Sequence, residues 1–194
     1  ETQALIYNPH TKEIVGINAL GVAPTGATAD FFKNKGMKYP PSTGPLAAVT
    51  PGTPGGIMTM LANYGTKSLK DVLAPAITLA EGFQVDNDLA RSMARGKDEL
   101  ATWPYSKKIF LPNGSTPAHG DVLIQSDLVI TLKKLIETEQ AALKKGKSRK
   151  DAIMAAYDRF YKGDIAEELV RGTKEMGGLI TRDDLAKWKV ITEK

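Results

Sequence analysis

The chain has 194 residues, of which 42% are hydrophobic and 25% are charged, and these proportions are typical of an ordinary globular protein and exclude a disordered one. It contains no cysteine, which excludes disulfides, thiolate metal sites and cysteine nucleophiles, and no apolar run approaches the roughly 20 residues of a transmembrane helix. The net charge of +4 does not indicate nucleic-acid binding, because the densest basic cluster, Lys144 to Lys150, has no interleaved aromatic residue for base stacking. We interpret that cluster as a solvated connection between two helices.

A β-hairpin is predicted at the start of the chain, over residues 3–18. Two short apolar runs, Gln3 to Tyr7 and Glu13 to Ile17, are joined by the turn-forming residues Asn8 to Lys12. The pattern predicts the hairpin but leaves its register open. Because an isolated hairpin is only marginally stable, we expect it to need partner strands that this chain does not supply. Its exposed edge is therefore expected to self-associate.

Residues 27–188 carry the signals of a mostly helical body. A single polar helix is predicted from Asp86 to Leu100, and a long amphipathic helix is predicted to begin at Ser126. An apolar face of Ile153, Ala156, Tyr157 and Phe160 marks a later helix. Another helix is predicted to begin at Ser68, and the residues predicted to act as N-caps are Thr28, Thr53, Ser148 and Thr181. The fold class predicted from these patterns is α+β, with an N-terminal hairpin followed by helices.

The residues alone predict no catalytic centre, metal site or cofactor. The two histidines, His10 and His119, both fall in predicted loops, which disfavours a Ser/His/Asp arrangement and gives no metal-ligand spacing. The segment Thr50 to Gly56 superficially suggests a phosphate-binding loop. It lacks the Gly-Lys-Ser/Thr ending, and its two prolines remove backbone donors, so we interpret it as a tight turn into a helix.

A series of segments, taken in order, resembles the gamma-glutamyltranspeptidase family of the N-terminal-nucleophile hydrolases. The resemblance covers nearly the whole chain, and it implies that the hairpin and helices form part of the αββα fold of those hydrolases. The segments that carry it are Ala4–Pro9, Val49–Gly56, Tyr64–Leu69, Val72–Ile77, Leu79–Phe83, Gly120–Leu123, Phe160–Ala166 and Gly177–Leu185.

The resemblance also implies a place in a larger protein. Family members are made as precursors that cleave themselves into a large and a small subunit, and the small subunit begins with the catalytic threonine. Residues 1–194 resemble the middle of the large subunit, and no threonine here matches the nucleophile. The parent is expected to transfer or hydrolyse gamma-glutamyl or related acyl groups of small amides, with the rest of its precursor as partner, in the periplasm or outside the cell. The chain by itself is expected to be inactive; the alternative is a stand-alone, non-catalytic helical binding module derived from that subunit.

Leu20 is the one candidate site residue, and it comes from the resemblance. The segment Ile17–Pro24 aligns with the family stretch in which an arginine binds the α-carboxylate of the substrate, and Leu20 stands at the arginine position. Leucine cannot form a bidentate guanidinium–carboxylate pair, so gamma-glutamyl specificity is in doubt and the acylase-like branch of the family is favoured. The alternative is that Leu20 is simply packed and the carboxylate is bound elsewhere. A second departure is the extended helical and basic segment from Gln140 to Ala156.

Overall fold

The computed structural model describes residues 1–193 and has the predicted α+β architecture. Internal contacts divide the chain into two compact units. The first contains residues 1–69 and the chain from Leu135 onward, and the second contains Lys70–Lys134. Within residues 1–193, no helix is both long enough and apolar enough to cross a bilayer.

The first unit contains a three-stranded sheet and most of the long helices. Helices α3 (Leu69–Glu81) and α7 (Ser126–Lys144) contribute residues to both units. The other elements of the first unit are β1 (Thr2–Asn8), β2 (Glu13–Ala19), α1 (Ala29–Asn34), a 3-10 turn (Pro45–Ala47), α2 (Thr53–Tyr64), α8 (Arg149–Lys162), α9 (Asp164–Glu175), α10 (Arg182–Lys187) and β5 (Ile191–Glu193).

The predicted hairpin is confirmed, and its register is now defined. Strands β1 and β2 are antiparallel, with Thr2 opposite Ala19 and Asn8 opposite Glu13. The expectation that the chain supplies no partner strand is wrong, because β5 pairs with the free side of β2, with Ile191 opposite Asn18. The strand order is therefore β1-β2-β5, and β2 is the central strand.

The two faces of this sheet have different surroundings. Val15, Ile17 and Ala19 alternate along β2 and are buried. A Cβ on Gly56 would lie 2.6 Å from the Cβ of Ala19, so α2 can pack this closely on the sheet only because residue 56 is glycine. On the opposite face the side chain of Leu5 is 81% exposed. One face of the sheet therefore belongs to the core of the unit, and the other is open.

Helix α8 provides much of the remaining core. Its predicted apolar face of Ile153, Ala156, Tyr157 and Phe160 is confirmed as buried. At its N-terminus, the guanidinium of Arg149 donates hydrogen bonds to the carbonyl oxygens of Leu61 (3.1 Å), Ala62 (3.0 Å) and Lys67 (3.0 Å). One residue of the basic cluster is therefore not simply solvated. It binds two carbonyls in the last turn of α2, where the Leu61 carbonyl also accepts the Gly65 N–H, and the Lys67 carbonyl in the loop that follows.

The N-cap predictions succeed where the partner is local. The hydroxyls of Thr28, Ser148 and Thr181 each accept a hydrogen bond from a backbone N–H three residues later. The prediction for Thr53 is wrong, because Gly52 is the N-cap of α2 and Thr53 is its first helical residue. The Thr53 hydroxyl instead accepts hydrogen bonds from the backbone nitrogen of Glu1 (2.6 Å) and the hydroxyl of Thr2 (3.1 Å), and these distant donors replace the local one.

The second unit is small and has its own core. Val85, Met93 and Leu123 form its buried cluster. The single predicted helix from Asp86 to Leu100 is wrong, because the chain leaves helical geometry at Gly96, where ψ is 8°. Glycine has a low helix propensity, so a break at this position has a small energetic cost. The elements are β3 (Phe83–Gln84), α4 (Asn87–Arg95), α5 (Lys97–Thr102), α6 (Pro104–Phe110) and β4 (Val122–Leu123).

Candidate functional site

Leu20 directly follows β2 and lines a cavity of about 460 Å³ in the first unit. Its side chain is 40% exposed, whereas the preceding Ala19 is buried. The other lining residues come from the end of β2 and the segment after it, and from α10 and the chain that continues into β5. They are Asn18, Gly21, Val22, Ala23, Thr25, Asp184, Lys187, Trp188, Lys189 and Ile191.

The backbone of Leu20 is fixed on both sides. Its N–H donates to Asn18 Oδ1 at 3.1 Å, and its carbonyl oxygen accepts a hydrogen bond from Trp188 Nε1 at 3.0 Å. The next N–H, of Gly21, donates to a carboxylate oxygen of Glu1 at 2.7 Å. With its polar backbone atoms satisfied, Leu20 presents an apolar side chain to the cavity. We call residues 18–25 the Leu20 wall.

The loop of residues 49–52 packs against the backbone of the Leu20 wall. The Thr50 N–H donates to the Val22 carbonyl at 3.0 Å. A Cβ on Gly21 would lie 2.1 Å from the Thr50 carbonyl oxygen, and a Cβ on Gly52 would lie 2.0 Å from the Ala19 carbonyl oxygen. Both positions require glycine because backbone meets backbone there. The Thr50 side chain is buried, and its hydroxyl has no hydrogen-bond partner within residues 1–193.

Trp188 is packed against the aromatic core. Its ring is stacked on that of Tyr161, with centroids 4.9 Å apart and an interplanar angle of 24°. The Tyr161 hydroxyl donates to the Pro51 carbonyl at 2.6 Å and accepts from the Gly55 N–H at 3.1 Å. Burial raises the pKa of Tyr161, and it raises the pKa of Tyr157 to about 12. Both phenols therefore stay neutral over the physiological range and act as hydrogen-bonding core residues.

Asp184, in α10, binds Thr25 at the C-terminal end of the Leu20 wall. One carboxylate oxygen accepts the Thr25 N–H at 2.9 Å, and the other accepts the N–H (2.9 Å) and hydroxyl (2.6 Å) of Thr181. Burial by itself would raise the pKa of Asp184, but the hydrogen bonds from Thr181 and Thr25 outweigh it and hold the pKa at about 2. The carboxylate is ionised at neutral pH and already bound, so it serves as an anchor.

Neither histidine of the chain lines this cavity. His10 lies in the turn between β1 and β2, and His119 precedes β4 in the second unit. No group of three or more His, Asp or Glu side chains within residues 1–193 is arranged to hold a metal ion. Sequence reasoning did not identify Asp184 or Trp188, because each contacts the Leu20 wall across more than 150 positions of the chain, and it also missed the local bond from the Leu20 N–H to Asn18.

Comparisons with known proteins relate this chain to one enzyme family. The family model for gamma-glutamyltranspeptidase matches residues 2–194. The chain is 34% identical to a glutathione hydrolase proenzyme of Bacillus subtilis over 97% of its own length, and 35% identical to one of Escherichia coli over 88%. It spans only 30% and 27% of the lengths of these two relatives.

Solved structures agree with the sequence relatives. The Helicobacter pylori gamma-glutamyltranspeptidase superposes with a TM-score of 0.83 at 31% identity, covering all of this chain and 52% of that one. The cephalosporin acylase of Bacillus halodurans superposes with a TM-score of 0.81 at 27% identity, covering 98% of this chain and 33% of that one. The α+β fold predicted from the sequence is thus confirmed as that of the N-terminal-nucleophile hydrolases. From the family match, the relatives and the shared fold together, this chain belongs to the gamma-glutamyltranspeptidase family.

Proposed function

We propose that this chain supplies one wall of the substrate pocket of an enzyme that transfers or hydrolyses the acyl group of small amides. The observation that carries the proposal is Leu20, which lines a 460 Å³ cavity while its backbone is held by Asn18 and Trp188. Its relatives include glutathione hydrolase proenzymes, and its structural neighbours include a cephalosporin acylase. Both names describe the cleavage of amides.

The chemistry itself requires a nucleophile from elsewhere in the protein. The family resemblance implies an N-terminal threonine whose own amine acts as the base, and no residue of this chain matches it. The chain spans about 30% of the length of its curated relatives, so we propose the rest of the precursor as its partner. The 194 residues alone are expected to give no turnover of a gamma-glutamyl anilide. Turnover that is abolished by mutating one of these residues would contradict that expectation.

The apolar wall favours an acyl group without an α-amino acid head. A charge-assisted hydrogen-bonded pair contributes about 1.5–3 kcal/mol, and leucine cannot provide one to a carboxylate. Since about 1.4 kcal/mol corresponds to a factor of ten in rate, the missing pair is expected to lower kcat/KM for gamma-glutamyl substrates by about ten- to a hundredfold. No arginine lines this cavity among the described residues.

The test compares two substrates in the processed precursor. Wild type, Leu20→Arg and the apolar control Leu20→Met are assayed with gamma-glutamyl and glutaryl anilides. We expect wild type and Leu20→Met to prefer the glutaryl amide, and Leu20→Arg to shift the preference toward the gamma-glutamyl amide. A gamma-glutamyl preference that Leu20→Arg leaves unchanged would show that Leu20 does not contact the acyl group. An absence of turnover with every amide would favour the non-catalytic binding module.

We further propose that the parent protein is exported to the periplasm or the medium. The support is the family resemblance, since bacterial members are usually exported. Fractionation of the source cells, with the protein followed by antibody, tests this directly. Recovery of the processed protein in the cytoplasm alone would contradict it.

A further inference from the structure

We propose that Trp188 is a positioning residue for acyl-group selectivity, because its indole N–H fixes the Leu20 wall. The inference rests on the proposed function, because selectivity here means preference for one acyl group over another. The hydrogen bond from Trp188 Nε1 to the Leu20 carbonyl oxygen is 3.0 Å long and joins residues 168 positions apart in the chain. Trp188 thus acts on the substrate through the backbone of Leu20.

The direction of the indole N–H is set by rigid packing. Trp188 is only 6% exposed, and its ring stacks on Tyr161. Gly55 lies against the six-membered ring of the indole, since a Cβ on Gly55 would lie 2.5 Å from Trp188 Cζ3. The Tyr161 hydroxyl is in turn bonded to the carbonyl of Pro51 and the N–H of Gly55. The indole therefore has no room to turn, and its donor points at one acceptor.

The Leu20 carbonyl is the point at which Trp188 holds the wall. On its N-terminal side, the Leu20 N–H is held by the nearby Asn18 side chain. On its C-terminal side, Thr50 and Asp184 hold Val22 and Thr25. Without the indole donor, the peptide group between Leu20 and Gly21 would lose the bond to its oxygen and keep the bond from the Gly21 N–H to the Glu1 carboxylate. Tilting of the freed carbonyl about that remaining bond would move the Leu20 side chain relative to the cavity.

This arrangement predicts an effect on binding without an effect on chemistry. A wall that is no longer held should bind the acyl group less well, while the nucleophile, which lies outside these residues, is undisturbed. Loss of one neutral hydrogen bond of this kind is expected to raise KM for the preferred acyl amide about three- to tenfold, with kcat changed by less than about twofold.

The test uses the processed precursor with Trp188→Phe, which keeps an aromatic ring and removes the N–H. Ser148→Ala is the matched control, because it deletes a helix cap remote from the wall at a comparable cost in stability. Replacement of the Trp188 indole by the isosteric benzothienyl side chain removes only the donor, and it replaces Trp188→Phe if that variant is poorly folded. We expect the KM increase in the Trp188 variants and not in Ser148→Ala.

Two further measurements separate the inference from the proposed function. Amide hydrogen exchange over residues 18–25 should accelerate in the Trp188 variants and not in Ser148→Ala, whether or not the protein turns over any amide. Leu20→Ala and Trp188→Phe should also be non-additive in KM, since they alter the same wall. Unchanged exchange, or a KM that rises equally in Ser148→Ala, would overturn the inference. Faster exchange with an unchanged KM would do so too, since Trp188 would then have no influence on selectivity.

Discussion

We expect Asp184→Asn to destabilise the protein strongly at neutral pH and much less at pH 2. The hydrogen bonds from Thr181 and Thr25 lower the pKa of this buried carboxyl from 3.8 to about 2. At about 1.4 kcal/mol for each tenfold change in proton affinity, this difference corresponds to roughly 2 kcal/mol of stability. Because the folded-state pKa is depressed, the contribution is fully present above pH 4. It is lost as the pH falls from about 4 through 2.

The assay is urea unfolding of wild type and Asp184→Asn at a series of pH values between 2 and 7. Asp183→Asn is the matched control on the same helix, because Asp183 is 78% exposed and pairs with the exposed Lys187. An exposed ion pair contributes about 0–1 kcal/mol, so this control should change stability little at any pH. Equal losses in the two variants, or a loss in Asp184→Asn that does not shrink at low pH, would refute the assignment of Asp184 as an ionised anchor.

Three further changes test other features of the structure. Thr50→Val should raise the free energy of unfolding by about 1 kcal/mol, because it removes a buried hydroxyl that has no partner among residues 1–193. Thr53→Val should lower the free energy of unfolding, because it removes a hydroxyl that accepts a hydrogen bond from Glu1, and urea unfolding that ranks the two variants the other way would contradict this. Arg149→Ala should cost about 1–3 kcal/mol, because it removes the hydrogen bonds from the guanidinium to three backbone carbonyls. Lys150→Ala is the control, with a cost near zero, and equal costs would count against this role of Arg149. The open edge of β1 should produce concentration-dependent dimers in sedimentation that Leu5→Lys weakens, and a strictly monomeric wild type would exclude this association.

The features that could be predicted from the sequence are those whose causes are local. The caps at Thr28, Ser148 and Thr181 depend on a hydroxyl and a backbone N–H three residues apart, so a short window contains the whole interaction. The Thr53 prediction failed because its hydroxyl found partners at the start of the chain. The break at Gly96 was also missed, since a single glycine inside a helical pattern is often tolerated.

The candidate site could be predicted only at Leu20, and only through resemblance to a family. The Leu20 wall is held by Trp188 at Leu20 and by Asp184 at Thr25, and both residues lie more than 150 positions away in the sequence. Neither residue type signals such a role on its own, because a buried tryptophan and an aspartate in a helix cap are common features. Long-range tertiary contacts are what make the wall, and a single sequence does not reveal which distant residues meet.

The position of β2 at the centre of the sheet has a consequence for how the protein folds during synthesis. One neighbour of β2, the strand β1, precedes it directly, but the other, β5, is made only after residues 20–190 have been translated. Pairing of segments so distant in the chain is slow, because the loop between them must be ordered first. Until β5 has been made, one side of β2 in the hairpin is therefore unpaired. The Leu20 carbonyl can receive its indole donor only after residue 188 has been made, so the Leu20 wall forms later than the hairpin.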